Sequence, residues 1–225
     1  MTTRFARWSS TLGQKYLIAS TGLLLFLYLV LHLAGNLLLL LGPTIFNGYA
    51  HALISNPLIV PIEIGLASVF VLHVYNTVTR WWSDRKARPE RYYLTHWSGQ
   101  GSSRKTVASA TMIYTGLLIS IFVAVHVKVF KYGTYYAVPG SDERDLYRLV
   151  IEFFRNRVNV ALYEGCLVLL GLHLWHGFSS AMESLGVDHP RYNRIVLTAG
   201  RVLAVLIGGG FCMIPVWVYV FGGRP

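Results

Sequence analysis

Four histidines interrupt the long apolar stretches of the 225-residue sequence, and these side chains are the best candidates for chemistry. They are His32, His73, His126 and His173, each in a different stretch. An ionisable residue is costly inside a bilayer and by default marks a functional position. An imidazole can ligate a metal, carry a proton or hydrogen-bond to a neighbouring helix. For a single histidine, a hydrogen bond to a neighbouring helix would be the favoured interpretation. A prediction of metal ligation therefore depends on the number and spacing of all four.

The elements that position these histidines are five apolar runs. The sequence is 54% hydrophobic and only 13% charged, against about 25% charged in soluble domains. A membrane-spanning helix needs about 20 mostly apolar residues, and five stretches reach that length. The sequence therefore predicts an all-α integral membrane protein with a single domain, residues 1–225, whose first four spans form a bundle. The predicted spans are 16–41, 58–79, 107–129, 158–182 and 195–221.

The basic residues predict the orientation of the chain. Lys and Arg are concentrated in cytoplasmic loops, and 13 of the 20 lie on the side of the N-terminus. The N-terminus is therefore expected in the cytoplasm, and the net charge of +10 is read as a topology signal. A nucleic-acid partner is not expected, although the basic face could bind an acidic protein. Cys166 and Cys212 both lie in apolar runs and indicate neither a disulfide framework nor a zinc site.

Counted from the cytoplasmic helix ends, the four histidines fall at two depths. At about 1.5 Å per residue, His73 and His173 lie about 10 and 15 Å from that side, and His32 and His126 about 25 and 31 Å. Two bis-histidine haems need this pattern, because each iron takes one imidazole on either face of its ring. The depths predict two haem b groups, ligated by His73 with His173 and by His32 with His126. A single zinc or copper ion fits less well, since the levels differ by about 15 Å.

Further ionisable residues lie near the predicted haem levels. Arg80 follows His73 on nearly the same helix face, where it could bind a haem propionate or anchor the helix at the interface. His176 is three residues from His173, so either could be the ligand. The remaining histidines, His51, His96 and His189, are assigned to loops.

Two acids and one amphipathic segment complete the candidates. Glu63 and Glu164 are the acids within the spans, and they could relay protons or bond to neighbouring helices. Apolar residues recur at helical spacing from Leu146 to Phe154. This predicts a short helix over 141–154 on the outer interface, with a lid over an outward-facing site as the alternative.

With these residues in view, the sequence resembles the single-polypeptide di-haem cytochrome b subunit of succinate dehydrogenases and quinol:fumarate reductases. The resemblance covers nearly the whole chain, and its most specific motifs are HLAGN from His32, KARPERY from Lys86 and HLWHGF from His173. The segments that carry it are 19–53, 62–92, 109–133 and 172–186.

The resemblance implies a multi-pass subunit of succinate dehydrogenase, respiratory complex II of the tricarboxylic acid cycle, in the cell inner (cytoplasmic) membrane. The chain would anchor a flavoprotein and an iron–sulfur protein on the cytoplasmic side and would hold no catalytic site for succinate. Electrons would pass through the inner and then the outer haem to a quinone, with menaquinone the expected one.

The resemblance also implies roles for individual residues. The family's four haem ligands correspond to His32, His73, His126 and His173. The spacing to Gly186 selects His173 as the ligand, which leaves His176, with Arg80, as a neighbour of the inner haem. The family's quinone is generally placed beside the outer haem, so the positional candidates are Tyr49, His51 and Glu63.

Two other functional classes stay open at this stage. One is a free-standing di-haem transmembrane cytochrome that passes electrons between soluble donors without partner subunits. The other is a haem-free structural anchor or transporter. The haem spectrum and the co-purifying subunits distinguish them.

Overall fold

The computed structural model describes residues 10–87, 107–141, 143–187 and 191–222. Within these ranges the regular structure is helical, apart from an isolated bridge between Ala137 and Arg144. Five helices are long and apolar enough to cross a membrane, which confirms the predicted number of spans and a multi-pass membrane protein. The described ranges contain seven α-helices, which are α1 (Thr11–Leu37), α2 (Pro43–Ile54), α3 (Ile59–Lys86), α4 (Val107–Phe130), α5 (Leu146–Phe154), α6 (Arg157–Ser184) and α7 (Asn193–Phe221).

The long helices pack in a defined order of neighbours. α1 contacts α3 and α6, and α4 contacts the same two helices. α7 lies against α6 and, less extensively, against α1. The contact of α6 with α7 is close because two glycines meet there: a Cβ added to Gly208 would lie 3.1 Å from the Gly171 Cα. Small residues let membrane helices approach in this way, so α7 supports α6 without contributing a histidine of its own.

α3 extends further than the predicted span, which ended at residue 79. It continues to Lys86, and its last turn carries cations over indole rings, with Arg85 5.0 Å from the centre of Trp81 and Lys86 5.7 Å from that of Trp82. Basic side chains are favourable at a helix C-terminus. The helix therefore extends beyond its apolar part into a polar, aromatic end.

α2 is a helix that was not predicted from the sequence. It begins with Pro43, directly after Gly42, whose φ of 99° ends the preceding 3₁₀ turn at Leu38–Leu41. Proline suits the first turn of a helix, because its missing N–H has no partner there. The assignment of His51 to a loop was therefore wrong, since that residue lies in the last turn of α2.

α5 is shorter than the predicted helix over 141–154. Gly140 has a φ of 78°, and the Ser141 hydroxyl accepts a hydrogen bond from the Glu143 N–H, so this part forms a turn. The helix starts only after Asp145, whose carboxylate accepts from the Arg148 N–H at 3.0 Å. Such side-chain caps compete with helix formation at the preceding residues. The buried face of α5 consists of Leu149, Val150, Ile151 and Phe154.

Polar contacts join α5 to its surroundings. The buried Asn47 of α2 donates to the Asp145 carboxylate and accepts from the Tyr147 N–H, both at 2.8 Å. On the exposed side, hydrogen bonds from the Tyr136 hydroxyl and then from Arg148 lower the pKa of the Glu152 carboxyl. α2 and α5 are thus connected through one buried amide.

Candidate functional site

The two histidines of the predicted outer level face each other. His32 on α1 and His126 on α4 have ring centres 5.9 Å apart, with the ring planes 83° to each other. Two imidazoles on opposite faces of one haem have their centres about 6 Å apart, because each metal–nitrogen bond is about 2 Å long. The observed separation matches that requirement. Aromatic rings surround the pair, with Phe211 5.8 Å from His32 and Phe130 5.1 Å from His126.

The two histidines of the predicted inner level are also brought together. His73 on α3 and His173 on α6 lie within electrostatic range of each other. Each ring is held by a threonine of a neighbouring helix: the Thr21 Oγ1 is 3.1 Å from the His73 Nδ1, and the Thr115 Oγ1 is 3.2 Å from the His173 Nδ1. Both threonines are buried, at 7% and 5% exposure. The inner histidines therefore have matching surroundings.

A glycine follows each of these threonines and lies under the same imidazole. A Cβ added to Gly22 would lie 3.1 Å from the His73 Cε1, and one added to Gly116 would lie 3.3 Å from the His173 Cε1. Both distances are shorter than ordinary van der Waals contact. Each inner imidazole therefore packs directly on the helix backbone, in a space that any other residue would partly fill.

The Thr–Gly pairs were not predicted from the sequence, although a signal was present. Thr21 lies eleven residues before His32, and Thr115 lies eleven residues before His126. The letters TGLL begin both segments. α1 and α4 thus each carry one outer histidine and one support for an inner histidine.

The hydrogen-bond partners of the outer pair bear on the alternative that the histidines only hydrogen-bond to neighbouring helices. The His32 Nδ1 has a long contact of 3.4 Å to the Tyr28 hydroxyl, which is in the same helix. The His126 Nδ1 is buried and has no hydrogen-bond partner in the part of the chain that the structure describes. Buried polar atoms are nearly always bonded, so interhelical bonding does not explain this pair. Two facing imidazoles, one with an unbonded Nδ1, fit ligation of a haem through the Nε2 atoms.

Within the described ranges, no group of three or more His, Cys, Asp or Glu side chains could hold a metal ion. The histidines occur in twos, which is the number of axial positions that a haem iron offers.

Arg80 and His176, predicted near the inner haem, have partners of their own. The Arg80 guanidinium makes a 2.9 Å ion pair with Asp84, one turn further along α3, and its side chain is 20% exposed. His176 lies one turn after His173 and within electrostatic range of both that histidine and Glu183. Their roles towards a haem stay predictions.

Two of the three quinone candidates, Tyr49 and Glu63, lie near Tyr28, which contacts the outer histidine His32. Tyr28 was not predicted as a candidate from the sequence. Tyr28 stacks on His32 with ring centres 5.3 Å apart and lies within electrostatic range of Tyr49 and Glu63. Tyr49 packs onto α1, where a Cβ on Gly35 would lie 2.6 Å from its hydroxyl. The sequence feature that could have identified Tyr28 is its position one helical turn before His32.

The other predicted candidates have separate partners. His51 pairs with Glu143 at 3.8 Å, on the loop before α5, and Glu63 forms an ion pair with Lys131. Glu164 lies beside Cys212 of α7, and its Oε1 is buried without a hydrogen-bond partner in the described part of the chain. His96 and His189, with most of the KARPERY motif, lie outside the described residues.

Comparison of the chain with known protein families, with characterised proteins and with solved structures finds no match in any of the three.

Proposed function

We propose that this chain is the cytochrome b membrane anchor of a succinate:quinone oxidoreductase, which passes electrons from a flavoprotein and an iron–sulfur protein to a quinone. The observation that carries the proposal is the His32–His126 pair, with 5.9 Å between ring centres and a buried His126 Nδ1 that has no hydrogen-bond partner among the described residues. The likeness of the motifs to the di-haem family supplies the identity of the partners and the quinone.

The proposal assigns each histidine to one of two haem b groups. His32 and His126 hold the outer group, and His73 and His173 hold the inner one. A bis-histidine haem supplies one-electron transfer and leaves no coordination position open to a substrate. Around the outer pair, aromatic rings of α4, α6 and α7 provide surroundings of low polarity.

The arrangement of helices supports this assignment. In the proposal α1, α3, α4 and α6 form a four-helix haem-binding bundle, since each contacts two of the others in turn. The N-terminus is cytoplasmic, and the basic face there docks the two soluble subunits, because 13 of the 20 Lys and Arg residues lie on that side. Electrons then move from the inner to the outer level.

The quinone is proposed to bind beside the outer pair, near Tyr28, Tyr49 and Glu63. Quinone reduction needs a hydrogen-bond donor at a carbonyl oxygen and a source of protons. The hydroxyls of Tyr28 and Tyr49 can donate, and the Glu63 carboxylate, which is paired with Lys131, lies within electrostatic range of Tyr28. His51 stays a further candidate, with its Nε2 atom 3.8 Å from a carboxylate oxygen of Glu143.

Purification of the chain from its native membranes in mild detergent tests the proposal. We expect a flavoprotein and an iron–sulfur protein to accompany it, a reduced-minus-oxidised spectrum of two b haems, and succinate-dependent reduction of a menaquinone analogue. A di-haem protein recovered alone, reducible by another donor and indifferent to succinate, would identify a free-standing cytochrome. A preparation without haem would support the anchor or transporter.

A further inference from the structure

The inner and outer histidine pairs differ in what contacts the Nδ1 atom. Both inner Nδ1 atoms have a buried threonine hydroxyl of a neighbouring helix within 3.2 Å. In the outer pair, one Nδ1 has only the 3.4 Å contact to Tyr28 and the other, on His126, has no partner among the described residues. The difference concerns the atom that controls a metal-bound imidazole, because the bond made by one ring nitrogen sets the state of the other.

The protons of the inner contacts can be assigned from the neighbouring carbonyl groups. The Thr21 Oγ1 is 2.6 Å from the Leu17 carbonyl oxygen. A carbonyl only accepts, and a hydroxyl has one proton to donate. Since that proton points to Leu17, the Thr21 oxygen must accept the proton of the His73 Nδ1–H. The Thr115 Oγ1 lies 3.1 Å from the Met112 carbonyl oxygen and 3.2 Å from that of Thr111, so its proton also has carbonyl acceptors in its own helix.

This assignment places the proton of His73 on Nδ1, and we infer the same tautomer for His173 from the matching contact of Thr115. With the proton on Nδ1, the Nε2 lone pair is free, and this is the atom that a haem iron would bind. The hydroxyl also holds the ring in one orientation, while the adjacent glycine lets the ring lie against the helix backbone, 3.1 to 3.3 Å from the position that a Cβ would take. A hydrogen bond from the distal ring nitrogen makes the ligating nitrogen a stronger base.

We propose that Thr21 and Thr115 are positioning residues that present the Nε2 atoms of His73 and His173 to the inner haem and lower its midpoint potential. The inference rests on the proposed function, because it requires a haem between these histidines. A more basic ligand stabilises the ferric state over the ferrous state, so each hydroxyl makes the inner haem harder to reduce. The outer pair lacks such bonds and serves as an internal reference.

The test removes each hydroxyl without changing the shape of the side chain. Thr21→Val and Thr115→Val replace the hydroxyl by a methyl group, and the Ser variants keep it. Thr79→Val is the matched control, since the Thr79 hydroxyl bonds only to carbonyls of its own helix, those of Tyr75 and Asn76. The purified complex of each variant is titrated optically and by low-temperature electron paramagnetic resonance. The inner haem is identified as the one lost in His73→Ala.

We expect each Val variant to shift the inner haem to a higher midpoint potential and to alter its low-spin resonance signal, with a larger shift in the double variant. The outer haem should be unchanged, and the Ser variants and Thr79→Val should match the wild type. Loss of the inner haem in the Val but not the Ser variants would also support the inference.

Two outcomes would overturn it. One is a pair of Val variants that bind both haems with unchanged potentials and signals. The other is equal loss of the inner haem in the Val and Ser variants, which would indicate a role of shape alone. A wild-type chain that purifies without haem would contradict the proposed function itself, and is recognised before any variant is made.

Discussion

Replacing Gly22 by valine should weaken the binding of the inner haem while leaving the outer one in place. Gly22 lies under the imidazole of His73, and a Cβ at this position would be 3.1 Å from the ring Cε1. Ordinary van der Waals contact begins at 3.4 Å, so even alanine requires a displacement of a few tenths of an ångström. Valine adds two methyl groups beyond the Cβ, and the ring has to move further.

The magnitude follows from two opposing effects. Overpacking of a well-packed site costs about 1–3 kcal/mol, whereas removing a glycine from a helix interior gains up to about 1 kcal/mol. The two nearly cancel for alanine, so Gly22→Ala should keep both haems and change only the resonance signal of the inner one. For valine the gain is smaller and the clash larger. A net cost of about 1–3 kcal/mol lowers the affinity for the inner haem about 5- to 150-fold.

The assay is the haem-to-protein ratio of the purified complex, followed during dilution, together with a redox titration. Gly209→Val is the matched control, because a Cβ on Gly209 of α7 meets nothing within 4 Å. We expect Gly22→Val to fall from two haems towards one, with the outer potential preserved, and the control to retain two. Two tightly bound haems with unchanged potentials in Gly22→Val would refute the packing argument.

Five further substitutions have defined outcomes. His73→Ala should remove the inner haem and His32→Ala the outer one, as redox titration of each variant would show; loss of the same haem in both would disprove the pairing. Tyr28→Phe should raise the KM for quinone several-fold with little change in haem content, measured with a soluble quinone analogue. Asn47→Ala loses two hydrogen bonds, one to a carboxylate, and should cost about 2–4 kcal/mol, seen as faster amide hydrogen exchange in α5 but not in α6. The pKa of Glu152 is lowered, so its contacts stabilise α5 fully at pH values above 4.5 and are lost as the pH falls through the lowered pKa. The protection of the α5 amides, corrected for the slower intrinsic exchange in acid, should therefore fall at low pH, and Glu152→Gln should remove that dependence.

The spans and the grouping of the histidines by depth could be predicted from the sequence because both depend on one constant, the rise of an α-helix per residue. A helix rises about 1.5 Å per residue, and charged residues mark where each apolar run ends. Counting from those ends grouped His32 with His126, and the structure brings these two rings to 5.9 Å. No comparable constant governs the segments between the spans. In these segments, α2 was not predicted because it starts at a Gly–Pro step, and α5 is shorter than predicted because of the caps at Ser141 and Asp145.

The supports of the inner histidines could not be predicted because threonine and glycine are common in membrane helices. Their function depends on which face of α1 meets α3, and that is a property of packing. Tyr28 illustrates the same limit, since its closeness to Glu63 arises only when α1 and α3 are assembled. The repeated letters TGLL were visible, but only the contacts to His73 and His173 give them a meaning.

The spacing of eleven residues links the two levels through the geometry of a single helix. Eleven residues turn an α-helix by about 1100°, which is three full turns and about 20°, so the threonine and the later histidine lie on nearly the same face. The same eleven residues rise about 16 Å, close to the difference of about 15 Å between the two predicted levels. Thr21 can therefore contact an inner ligand while His32 faces the outer one, and α4 repeats the arrangement with Thr115 and His126. Because one rigid helix carries both groups, a rotation of α1 or α4 that disturbed one level would also disturb the other.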